Sequence, residues 1–199
     1  MKIKSVEILL DKGQHSHRTE KIIEHVLESI KLMDNPRGTG TFTLYNGKKA
    51  NGVKPIKDSY MDRQKEHGWM LEHKLDVGVT TTRPGPIDAV YPVGNKYFAV
   101  EWETGNISSS HRAVNKIITG ILNGKLLGGV LILPSREMYE YLTDRVGNFR
   151  ELAPYFDVWS KANYPIDEGY VAIIEIEHDE LTDDPSLQIK KGTDGRALV

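Results

Sequence analysis

Residues Pro86–Pro134 read "PIDAVYPVGNKYFAVEWETGNISSSHRAVNKIITGILNGKLLGGVLILP". Two β-rich runs, Ile87 to Val93 and Lys96 to Thr104, flank Gly94-Asn95, a pair suited to a tight reversal. A β-hairpin is expected. Beyond it, Val114, Ile117, Ile118, Ile121 and Leu122 recur at helical spacing. They predict a helix over Ser109 to Asn123, with a serine cap and Gly124 closing it. Leu126 to Leu133 is continuously apolar and reads as a buried strand parallel to its neighbour. Strand, helix and parallel strand in that order make a right-handed crossover, which sets the fold class as α/β.

Outward from this unit, Ile22, Ile23, Val26, Leu27, Ile30 and Met33 share one face of a helix expected over Arg18–Met33, with Thr19 as N-cap. Thr41–Tyr45 reads as a short strand, Lys57–His67 as a helix and Trp69–Glu72 as a short extended piece. Arg136–Asp144 and Phe149–Trp159 are helical candidates, and Tyr170–Glu177 is a strong strand. No repeat, low-complexity tract or linker interrupts the chain. The reading is one α/β domain over residues 1–199, a central mixed sheet flanked by helices.

The 199 residues suffice for one domain with a substantial core. Cysteine is absent, which excludes disulfides, thiolate metal sites and thiol nucleophiles. No leader and no run of bilayer-spanning length is visible, so a cytoplasmic protein that does not engage a membrane is expected. The net charge of −2 argues against nonspecific coating of DNA. Charge is nonetheless uneven. No Asp or Glu occurs from Thr104 to Arg136 or from Asn35 to Lys57, while both windows carry Lys and Arg. Two basic windows favour an anionic partner.

Against that background the acids of the hairpin stand out. Glu101 and Glu103 are two apart on one strand and point to the same face. Antiparallel pairing across Gly94-Asn95 brings Asp88 opposite the Glu101 region. Apposed carboxylates raise one another's pKa unless a cation neutralises them. Hard oxygen donors suit a divalent ion, Mg²⁺ above all, and such sites serve phosphodiester hydrolysis. The competing reading is a solvated strand edge with acids facing water.

Pro86-Ile87-Asp88 followed by Glu101-Trp102-Glu103 resembles the Pro-Asp…(Asp/Glu)-x-Lys core of the restriction endonuclease superfamily, with Glu in place of Lys. Its continuation, Thr104-Gly105-Asn106-Ile107-Ser108-Ser109 with His111-Arg112, is similar to the BamHI family of type II restriction enzymes. Further blocks agree in order: Asn51-Gly52-Val53 with Pro55-Ile56-Lys57, Tyr141 to Val146 with Asn148-Phe149, Pro154-Tyr155-Phe156, and Lys191-Gly192 with Asp194-Gly195.

The resemblance implies a restriction-endonuclease-like fold in which Asp88 and Glu101 bind Mg²⁺, with Glu72 a further acidic residue of the metal site. It implies that Glu103 positions or deprotonates the attacking water. It assigns DNA reading to Asn106, Ser108, Arg112, Asp144 and Arg145, with Lys57 in support and Asp194-Gly195 reaching the groove. The chemistry is consistent, since Arg reads guanine, Asn can read adenine and Asp accepts from cytosine N4. The implied activity is Mg²⁺-dependent cleavage of double-stranded DNA at GGATCC by a homodimer, after the first G, leaving 5′-GATC overhangs. A cognate methyltransferase is expected in the same system, without a stable complex. The alternatives are a GATC-core relative with a degenerate outer base pair, and a sequence-specific binder that does not cleave. Leu122-Asn123-Gly124 lacks the charged residues that family members use between subunits, so dimer contacts do not transfer residue by residue. His111 has no evident ligand partners and is expected to pack rather than react.

Overall fold

The computed structural model describes residues 1–13, 16–78 and 85–192. The chain runs β1 (Lys2–Lys12), α1 (His17–Lys31), β2 (Thr43–Tyr45), α2 (Val53–Glu66), β3 (Met70–His73), β4 (Ile87–Val93) and β5 (Lys96–Trp102). It continues through α3 (Ile107–Leu122), β6 (Leu126–Pro134), α4 (Arg136–Tyr139), α5 (Phe149–Leu152), α6 (Phe156–Ser160), β7 (Gly169–Glu177) and β8 (Glu180–Thr182). Six strands form one sheet in the order β1-β7-β6-β5-β4-β3, and β2 pairs with β8 in a small second sheet.

The hairpin and crossover form as expected. Gly94 turns with φ +62°, which a residue without a Cβ adopts freely. Val93 pairs with Lys96 and Ala89 with Val100 in antiparallel register. The crossover through α3 lays β6 parallel to β5, and β7 follows parallel to β6. β6 is buried along its whole length, as a strand covered on both faces must be.

Two apolar layers sandwich the sheet. One packs α1 and α2 through Val26, Ile30, Ile56 and Tyr60 against Phe98, Val100, Trp102 and Ile132. The other packs α3 through Val114, Ile117 and Ile121 against Ala99, Leu131 and Ile173. These layers carry β5 through the centre of the molecule and fix where its C-terminal end emerges.

Several local expectations are corrected. The α1 cap is Ser16, whose side chain accepts from the Thr19 N–H. α3 starts two residues earlier than expected, capped by Asn106 rather than a serine. The Asn106 carboxamide reaches the Ser108 N–H at 3.0 Å and so claims the start. The helix expected over Arg136–Asp144 stops at Tyr139. The one expected over Phe149–Trp159 divides into α5, a 3₁₀ turn over Ala153–Tyr155 and α6. Pro154 lacks the N–H that a continuous helix would use there.

Candidate active site

The acids meet at the C-terminal end of β5. Asp88 lies across from Glu101 on the paired strand, and its N–H is 3.4 Å from Glu101 Oε2. Asp88 Oδ2 accepts the Trp102 N–H at 2.8 Å, which ties the carboxylate to β5. Glu72, on the next strand out, falls between the Leu71–Ala89 and His73–Ile87 pairs and so lies beside Asp88. It has φ +46°, a left-handed conformation that costs a residue with a side chain. Glu103 lies one residue beyond Trp102, the end of β5. Its backbone N–H bonds to the Ile132 carbonyl at 3.0 Å.

Two lysines enter this cluster, one from each helical layer. Lys57, on α2, has its Nζ 2.5 Å from Asp88 Oδ1 and 3.7 Å from Glu72 Oε1. Lys116, on α3, has its Nζ 2.7 Å from Glu101 Oε1 and donates to the Pro86 carbonyl at 3.0 Å. Lys57, expected beside the base readers, is thus placed among the acids. Lys116 and Ser110 were not anticipated in the sequence. Their only signal is helical phase: Lys116 follows Arg112 by one turn on the same helix.

Burial makes these carboxylates reluctant to ionise. Glu101 is 7% exposed and Glu103 is 4% exposed. Glu101 is raised to about 7 by burial and by the Asp88 carboxylate, with Lys116 pulling it back. Glu103 is raised to about 7 by burial, although the Ser110 hydroxyl and the Gly105 N–H both donate to it. Burial works to lower Lys57, but the Asp88 carboxylate outweighs it and the lysine is raised.

Among the described residues, no three Asp, Glu or His side chains are already drawn around a common point for a metal. The donors nevertheless fit a divalent cation in kind. They are hard oxygens, and Asp88 raises Glu101, which is the repulsion that a cation relieves. Asp88, Glu101 and Glu72 would hold it, with Lys57 yielding Asp88 Oδ1.

The residues expected to read bases border this cluster. Asn106 and Ser108 open α3 and are exposed, as is Arg112, whose guanidinium reaches Ser109 Oγ at 3.3 Å. Asp144 and Arg145 lie on the loop between α4 and α5. Asp144 accepts from Thr143 Oγ1 at 3.0 Å and from Lys191 Nζ at 2.7 Å. Arg145 is exposed. The loop is pinned beside α3 by the Gly147 N–H, which donates to the Gly105 carbonyl at 2.8 Å. Asp194 and Gly195 lie outside the described residues. His111 packs edge-on to Tyr155, with ring centroids 4.5 Å apart, and near Trp159.

A carboxylate cluster on a mixed sheet, continued directly by a helix start and a loop with exposed Asn, Ser and Arg side chains, fits a type II restriction endonuclease. The comparisons agree. Residues 1–196 match the family model "Restriction endonuclease BamHI", and the chain belongs to that family. It is 52% identical to the type II restriction enzyme OkrAI of Oceanobacter kriegii, over all of both chains. It is 35% identical to the type II restriction enzyme BamHI of Bacillus amyloliquefaciens, over 76% of each chain. In fold it is similar to the restriction endonuclease BglII, solved with a DNA 16-mer, with a TM-score of 0.59 over 94% of this chain and 88% of that one, at 10% identity.

Proposed function

We propose that this restriction endonuclease hydrolyses double-stranded DNA at GGATCC in a Mg²⁺-dependent reaction, cutting after the first G to leave 5′-GATC overhangs. One observation carries the reading. The Asp88–Glu101–Glu103 cluster runs without a break into the exposed Asn106, Ser108 and Arg112, so a phosphate bound at the acids places neighbouring bases at the readers.

Glu103 serves as the group that orients the attacking water and takes its proton. A carboxyl near neutrality is matched to that task, because it is part ionised at working pH and still basic. Ser110 and the Gly105 N–H hold its orientation. Asp88 and Glu101, with Glu72 beside them, bind the divalent ion, which when present supplies charge stabilisation on the phosphate. Lys116 keeps Glu101 aimed into the cluster.

Arg112 and Arg145 read guanines, Asp144 reads cytosine, and Asn106 and Ser108 complete the half-site. A palindrome calls for a two-fold dimer in which each subunit cuts one strand. The exposed Tyr155 and Val158 beside α3 offer apolar surface for such a contact. A methyltransferase of the same specificity would protect the host's own sites.

Digestion of a plasmid of known sequence with Mg²⁺, followed by sequencing of the ends, tests the reading. Breaks at every GGATCC with 5′-GATC ends are expected. Cutting also at sites with other outer pairs would assign a degenerate target. Arg145→Ala is expected to lose about 1–3 kcal/mol of discrimination at one base pair. Cleavage rates on duplexes altered at each position would show the loss confined to the outer G·C pair.

A further inference from the structure

We propose that Ser110 and Lys116 are positioning residues through which α3 makes hydrolysis conditional on correct reading of the site. The proposal rests on the reading given above and adds how its two halves communicate. α3 touches both parts of the proposed site. Outward, its start presents Asn106, Ser108 and Arg112 to solvent. Inward, Ser110 is fully buried and donates to Glu103 Oε2, while Lys116 donates to Glu101 Oε1 at 2.7 Å. One helix therefore holds both carboxylates of the β5 end.

The second reading segment bears on the same contact. A Cβ on Gly147 would lie 2.5 Å from Ser110 Oγ and 3.2 Å from the Ile107 backbone. Gly147 also donates to the Gly105 carbonyl, and the Gly105 N–H donates to Glu103 Oε1 at 2.6 Å. The loop carrying Asp144 and Arg145 thus rests against the clasp on Glu103.

A helix moves as a body. Its three exposed readers cannot settle on base edges without carrying Ser110 and Lys116 by the same displacement. Misplacement of a reacting group by about 1 Å can cost about 100-fold in rate, so a small shift suffices to separate a productive clasp from an idle one. On a correct site the readers seat α3 and both carboxylates are aligned. On an altered site α3 is seated elsewhere and the clasp contributes little.

The test compares single-turnover cleavage of the GGATCC duplex with that of a duplex altered at one base pair, for the wild type, Ser110→Ala, Lys116→Met and Lys116→Arg. Binding to both duplexes is measured by gel shift in Ca²⁺. Ser110→Ala and Lys116→Met should lower the correct-site rate by about 10- to 100-fold. They should lower the altered-site rate far less, so that the ratio of the two shrinks at least about tenfold. Binding of the correct site should stay within about twofold, and Lys116→Arg should recover the ratio. A purely structural lesion would instead lower both rates by one common factor. That result, or an unchanged correct-site rate, overturns the proposal. If Ser110→Ala fails to fold, Lys116→Met decides alone, since its side chain is 17% exposed at the margin of the core. A wild type that cleaves no site would overturn the parent reading instead.

Discussion

Glu103→Gln should abolish practical cleavage while leaving DNA binding and the fold intact. The substitution keeps the shape of the side chain. Its amide oxygen can still accept from Gly105 N–H or Ser110, so local geometry survives. On the proposed mechanism it removes the basic oxygen that would take the proton of the attacking water. Loss of such a group costs about 10²–10⁴-fold. Stability should not fall, because burial already disfavours the ionised form of Glu103 and lifts it to about 7. Three measurements check this together: plasmid cleavage in Mg²⁺, gel shift in Ca²⁺, and thermal melting. A variant that cuts at the wild-type rate would remove Glu103 from the mechanism.

The second large effect is a pH-dependent stabilisation by divalent ions. Glu101 and Glu103 are both raised to about 7 from an ordinary 4.5. The metal-free folded state therefore binds more protons than the unfolded chain between those values. Stability from these two groups is complete below about pH 4.5 and is lost as pH rises through about 7. A divalent ion bound at Asp88 and Glu101 would compete for the Glu101 oxygens, and its charge would offset the repulsion at both glutamates once they ionise. Ca²⁺ should accordingly raise the melting temperature little near pH 5.5 and clearly near pH 8. Each pKa unit is worth about 1.4 kcal/mol, and Lys116 already offsets part of the charge at Glu101. A net gain of a few kcal/mol corresponds to roughly 5–10 °C in a chain of this size. Equal Ca²⁺ stabilisation at both pH values would refute the linkage. The Glu101→Gln, Glu103→Gln double variant should flatten the difference.

The parts of the fold legible in sequence are those with strong periodicity. Gly94-Asn95 between alternating runs gave the hairpin and its register, and with them the apposition of Asp88 and Glu101. β6 and β7 were plain from apolar content. β1 was not anticipated. Its long, half-exposed run takes its strand character from antiparallel pairing with β7, more than 150 residues away, a partner that local pattern does not reveal. β8 was missed for the same reason, since it exists by pairing with β2.

In the site, the hairpin brought Asp88 to Glu101 as expected, but nothing local marked Lys57 as their neighbour. That depends on how α2 packs over β4. Ser110 was hidden similarly, as a buried residue of α3, and nothing local showed that Lys116, one turn after the exposed Arg112, reaches over to Glu101. Asn106 showed a double character only in the structure. Its oxygen caps α3, so its amide hydrogens are what it can offer to a base.

The lysine pairs have a consequence for how the enzyme meets its substrate. Bare acids at the mouth of a DNA-binding cleft would repel phosphates. Here Lys57 and Lys116 carry two positive charges among Asp88, Glu101 and Glu72, so most of the repulsion is cancelled before any ion arrives. On the proposed reading, the cluster therefore presents little net negative charge to a phosphate backbone even before a cation binds.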